Sequence, residues 1–226
     1  MRRPGKLASR LFALACNKYD MDYPTAYAAF SARLLTVKGL QEKANGDKHL
    51  QDDEFDLLFE SLFMSVFRAF ENFIEDCFIC SLQGMPDMSG KSIARFAEPD
   101  NRGHARDMLL GAQTVLDWTS TTVILRRYEV FLKDKDSGLY LGVSDVVNIL
   151  TTAKDLRNHI AHNSDESGLK YKRVVANFFP TPPLGDLSPG LLLRTTPKVG
   201  PAKGAQVLTY FRSRLGQAGK AVAGAP

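Results

Sequence analysis

Between residues 55 and 82, apolar side chains recur at intervals of three and four: Phe55, Leu58, Phe59, Leu62, Phe63, Val66, Phe67, Phe70, Phe73, Ile74, Phe78 and Leu82. That spacing lays a wide stripe down one face of a single helix of about eight turns. A strand would need alternation at two. Half of the chain's 14 phenylalanines fall in this stretch, so the helix is expected to be the spine around which a helical core packs. Gly84-Met85-Pro86 ends the pattern.

The segments on either side are also helical in pattern. Residues 6–36 read as one or two helices, interrupted at Asp22-Tyr23-Pro24-Thr25 because the residue before a proline avoids helical angles. Residues 44–49 read as a turn. Gly, Pro, Asp, Asn and Ser crowd residues 85–104, which reads as an irregular surface loop. Helical spacing returns at 105–117 and at 120–133, separated by Trp118-Thr119-Ser120-Thr121 as break and cap. Asp134–Gly138 reads as a turn. Ser144 is expected to cap a helix whose apolar face runs Val146, Val147, Ile149, Leu150, Ala153, Leu156 and Ile160, with Asn163–Gly168 as its stop.

Residues 170–179 read as a short helix or a strand. Six prolines and four glycines in residues 180–204 indicate a linker or extended arm. A basic amphipathic helix is expected over about 203–217, followed by a disordered Gly/Ala-rich tail. The fold class is all-α, an antiparallel helical bundle over residues 1–178, with residues 179–226 supplying the irregular arm and terminal helix.

Charge is distributed unevenly. Residues 1–50 carry 9 Lys/Arg against 4 Asp/Glu, residues 51–150 carry 9 against 17, and residues 151–226 carry 11 against 4. Basic ends around an acidic middle suit a polyanion or an acidic partner, although solvated surfaces often look the same. Cys16, Cys77 and Cys80 cannot all pair among themselves, which fits a reducing, cytoplasmic setting. No run approaches the roughly 18 apolar residues of a membrane span. The apolar run at the N-terminus, Leu11–Cys16, is shorter than a secretory core of about 7–15 residues. Cys77 and Cys80 lie inside the apolar helix with no second Cys/His pair, so core cysteines are expected rather than a zinc or redox site. Asp134–Gly138 lacks the ligands of a calcium loop. No cofactor or metal is expected.

The chemistry-bearing feature is Arg157-Asn158-His159-Ile160-Ala161-His162 at the end of a helical pattern. Arg157 is a permanent cation, and a histidine such as His162 exchanges protons near neutrality. Such a pair suits a phosphodiester: one group moves protons while the other neutralises charge building on the phosphate. Without the family context, the simpler reading is that these residues merely cap carbonyls and pair with Asp155 or Asp165. At about 100° per residue, Asn158 and His162 share a face, while Arg157 lies about 140° from His162.

The string Arg157–Asn163, the leucine-bearing run before it and the long aromatic helix with Phe70-Glu71-Asn72-Phe73 resemble the HEPN superfamily, with an Arg followed after four to six residues by a His. The resemblance covers roughly residues 50–178. It implies a helical bundle that dimerises with the motif helices facing each other, and in many members metal-free RNA cleavage. On that footing Arg157 and His162 would be catalytic and Asn158 supporting. His159 would be a spacer or a second substrate contact. Glu71 would be the helper carboxylate, with Glu75 or Asp76 in reserve. A two-fold dimer would bring one subunit's Arg157 to the other's His162, and a helix C-terminus favours positive charge at His162.

RNA would be the substrate, cut by its own 2′-hydroxyl. A toxin or phage-defence role, with an antitoxin or defence-system protein as partner, follows from the same resemblance. The alternatives are a non-catalytic dimerisation or partner-binding module, and a nucleotide- or RNA-binding regulator using Arg157 as a phosphate clamp. Lys170, Lys172 and Arg173 open a basic stretch interleaved with Tyr171, Phe178, Phe179, Tyr210 and Phe211. That stretch either holds RNA or packs its apolar residues on the bundle.

Overall fold

The computed structural model describes residues 21–114, 116–181 and 187–226. The expected helix over 6–20, the N-terminal apolar run and Cys16 lie outside them. Among the described residues there are nine helices and no strand: α1 (Tyr23–Gly46), α2 (Asp52–Leu82), α3 (Arg102–Leu110), α4 (Thr121–Phe131), α5 (Gly138–Asp145), α6 (Val147–His162), α7 (Asp165–Phe178), α8 (Pro189–Arg194) and α9 (Val207–Ala223). None is long and apolar enough to cross a membrane.

The spine forms as its spacing predicts. α2 runs 31 residues and buries Phe59, Phe63, Phe67, Phe70, Phe73 and Phe78. Gln51 and Glu54 close a reciprocal cap at its start, satisfying amide groups that the first turn leaves without partners. α1 begins where the proline signal lies, with Asp22 accepting from the Thr25 amide at 2.8 Å. It runs antiparallel to α2. Tyr23 meets Ser81 at 2.6 Å, and Phe30 stacks on Phe73 with ring centres 4.9 Å apart.

α9 completes this layer. It lies antiparallel to α1, with Gln41 donating to Thr209 at 2.8 Å near one end and Phe30 against Gly219 near the other. Phe211 sets its ring edge-on to Phe63 at 5.3 Å and to Phe178 at 5.7 Å. Of the two possibilities left open for the C-terminal aromatics, Phe178 and Phe211 are therefore core residues.

Several boundaries differ from the sequence reading. The tail is not disordered: α9 continues to Ala223, and Ala218, Gly219, Val222 and Ala223 are buried. Close approach at glycine is the cause: a Cβ built at Gly219 would lie 2.4 Å from the Phe30 ring. A Cβ built at Gly142 of α5 would lie 2.7 Å from Val222 Cγ2 and 3.1 Å from the Ala218 carbonyl oxygen, so the two helices approach to a distance only glycine allows. Ser144 does not cap α6. It sits in the last turn of α5, a helix the reading lacked, and α6 starts after a kink at Val146.

The helix expected over 105–117 is shorter, from an Asn101 cap to Gly111 at φ 56°. Residues 165–168, read as a stop, are the first turn of α7. Within the Pro/Gly-rich stretch, Pro189–Arg194 is helical and packs on α2, where Arg194 pairs with Asp52 and Asp56. Cys77 and Cys80 are buried core thiols. Burial raises Cys77 well above the ordinary range and pushes Cys80 up to about 12.

Candidate functional site

The motif lies on α6, whose Ile149, Leu150, Ala153 and Leu156 are buried. The helix ends abruptly. Asn163 turns left-handed at φ 40°, a conformation asparagine tolerates better than most side chains, and its amide donates to the His159 carbonyl at 2.9 Å. Ser164 then caps α7 at once. Its hydroxyl accepts from the Ser167 amide at 3.3 Å, and its own amide donates to the Ser167 hydroxyl at 2.9 Å. Two residues thus join α6 to α7, which brings the first turns of α7 back over the motif.

That corner engages His159. Its ring stacks on Tyr171 at 4.5 Å with 14° between the planes, and its Nδ1 lies 3.2 Å from the Ser167 hydroxyl. The Ser167 hydroxyl donates to the Ser164 carbonyl, 2.8 Å away. Burial holds the His159 ring below its ordinary value. Tyr171 is anchored in turn by donating to the Leu187 carbonyl at 2.9 Å. His159 joins α6 to α7.

Arg157 sits on the flank that meets α2. It is half-buried and donates to the Asn158 carboxamide oxygen at 2.8 Å. The Glu71 carboxyl belongs to the same cluster. Burial raises its proton affinity, and the Arg157 charge works against that rise. Asp117 adds to the rise, while Arg68 and Lys154 oppose it. Burial would likewise raise Asp117, but hydrogen bonds from Lys154 and Thr119 prevail and hold it low. Glu71 itself has no hydrogen bond or ion pair among the described residues. The two reserve acids are engaged: Glu75 with Arg106 at 3.2 Å, and Asp76 with Arg102. A half-buried carboxyl with raised proton affinity beside a guanidinium is a common signature of functional sites.

His162 stands apart. It is exposed and has no side-chain partner among the described residues. The structure therefore gathers Arg157, Asn158 and Glu71, and leaves His162 on another side of the same helix. Lys170 pairs with Glu166 at 2.7 Å on the surface, and Lys172 and Arg173 are exposed.

Sequence reasoning missed a feature beside the motif. A groove of about 760 Å³ has α2 as its floor and α1 as one wall, and Ile160 of α6 also lines it. Arg33, Ser65, Arg68 and Asn72 face into it. The available signal was the run of small residues at helical spacing on α1 and α2, namely Ala26 and Ala29, and Ser61, Ser65 and Ala69. No family model, curated protein or solved structure matches the chain.

Proposed function

We propose that the chain is a HEPN-type endoribonuclease that works as a two-fold dimer, a toxin or phage-defence effector acting on RNA without a metal, as the motif resemblance implies. In the reaction, the 2′-oxygen of one nucleotide attacks the adjacent phosphorus and the bond to the 5′-oxygen breaks. The products are a 2′,3′-cyclic phosphate and a free 5′-hydroxyl. One proton leaves the attacking hydroxyl and one joins the departing oxygen. Arg157 stabilises the charge on phosphorus, and His162 moves the protons.

The observation that carries this reading is the contrast along α6. Arg157 is steadied by Asn158 beside the protonatable Glu71, while His162 is exposed with no competing partner among the described residues. Because the two lie about 140° apart on one helix, the reading requires that they meet across the dimer axis. The same separation favours the second reading, a dimerisation module without catalysis.

The test is incubation of the full chain with mixed cellular RNA in EDTA. Arg157→Ala and His162→Ala should each lower cleavage by at least about 100-fold. Mixing the two variants should restore up to about a quarter of wild-type activity, since half the dimers are mixed and each holds one intact composite site. Intact RNA with the wild type defeats the reading in favour of the module. Cleavage that the mixture fails to restore defeats the shared site.

A further inference from the structure

The groove on α2 offers hydrogen-bond donors with no acceptor among the described residues. The guanidinium groups of Arg33 and Arg68 are exposed and lack ion-pair partners among the described residues, as do the Ser65 hydroxyl and the Asn72 carboxamide for hydrogen bonds. All four line one concavity. Around them lie small side chains, Ala26, Ala29, Ser61 and Ala69, with Leu57, Met64 and Ile160 adding apolar surface. The Ser61 proton is already given to the Leu57 carbonyl at 2.9 Å.

The two acids at the groove do not cancel the arginines. Asp76 is paired with Arg102. Glu60 accepts the Gly190 amide at 3.1 Å and forms no ion pair with either arginine among the described residues. The rings of Phe30 and Phe73 at the groove are buried, so no aromatic face among the described residues is offered there for base stacking. Such a surface recognises a backbone and ignores bases. Arg68 also acts on Glu71, the carboxyl that senses Arg157, so the groove adjoins the motif cluster.

We propose that the α1–α2 groove is a track for the sugar–phosphate backbone of single-stranded RNA, with Arg33 and Arg68 each neutralising one phosphate and Ser65 and Asn72 donating to phosphate or ribose oxygens. This rests on the ribonuclease reading for its substrate class. It adds that the substrate is held independently of sequence, outside the Arg157–His162 pair.

The experiment measures binding of an unstructured, 2′-O-methylated oligoribonucleotide, which lacks the attacking hydroxyl, at several salt concentrations. It compares the wild-type chain with Arg33→Ala/Arg68→Ala and with a charge-matched control, Lys203→Ala/Lys220→Ala, exposed cations elsewhere. The groove variant should bind roughly tenfold more weakly at moderate salt. Its slope of log Kd against log salt should fall by about 1.4, or about 0.7 for each lost phosphate contact. The control should change neither value.

Ala29→Trp, which fills the groove without removing charge, should also weaken binding. Equal binding by the groove variant and the wild type overturns the proposal, as does equal weakening by the control or no binding by the wild type. A groove variant that changes the sedimentation mass of the chain would overturn it too, because a second copy would then occupy the groove. Binding through the groove without cleavage of ordinary RNA leaves the track standing and removes the ribonuclease reading. Cleavage that does not depend on the groove removes only the track.

Discussion

The last turns of α6 and of α9 both carry few bulky apolar side chains, yet they meet opposite surroundings. At α9, small residues let a helix press against α1 and α5, and Ala218, Gly219, Val222 and Ala223 are buried. At α6, the final turn carries His159, Ala161 and His162 and opens toward solvent, with Asn163 and Ser164 turning the chain back. One end is held by close contact over area. The other is held by a few directional bonds around His159, with the remaining polar groups left available. Low bulk therefore says nothing by itself about order or exposure; the facing surface decides.

Three measurements test that contrast. The largest effect is expected at the base of α9. Phe211→Ala removes a fully buried ring that meets Phe63, Phe178 and Tyr210, and should cost about 3–5 kcal/mol in chemical denaturation. A loss under about 1 kcal/mol would mean that α9 contributes little to the core.

A smaller loss is expected farther along. Gly142→Val drives a side chain into Val222 and the Ala218 carbonyl, and should cost about 1–3 kcal/mol. If thermal melting were unchanged, the close approach of α5 and α9 would not exist in solution.

The smallest effect is expected at the α6 end, and it depends on pH. Burial raises the folded-state proton affinity of Glu71 above its ordinary 4.5. Its favourable contribution is therefore full below about that pH and is lost as pH rises through the folded value. Glu71→Gln, which stays neutral, should gain stability relative to wild type as pH rises from 4 to 8, with no such gain at the acid end. A difference that ran the other way would show the Arg157–Glu71 attraction to outweigh burial.

Legibility followed the physical signal in each segment. The α2 stripe was readable because large apolar residues at three and four have no other good solution. The start of α1 was readable because Asp22 and Pro24 act on their own backbone. The α6–α7 corner was misread because Asn-Ser-Asp-Glu-Ser-Gly has the composition of a loop. In fact one left-handed residue ends a helix there, and the next serine caps another. The Gly/Ala tail was misread for a related reason: repeated glycines and little apolar bulk suggest disorder until a partner at glycine distance is known. At the motif, Arg157, Asn158 and His162 were visible as residue types. Glu71 was named ahead of Glu75 and Asp76 only on the resemblance; in the structure burial raises its proton affinity, while Glu75 and Asp76 are tied to arginines.

The amino-acid sequence alone determined the all-helical class, the aromatic spine and the presence of a cation and an imidazole near one helix end, because those depend on local periodicity and residue chemistry. Only the tertiary structure decided that α9 is core, that His159 binds α7 while His162 stays exposed, and that Arg33 and Arg68 share a groove. Each of those outcomes depends on what a distant segment places opposite a side chain, and spacing along one helix carries no record of that.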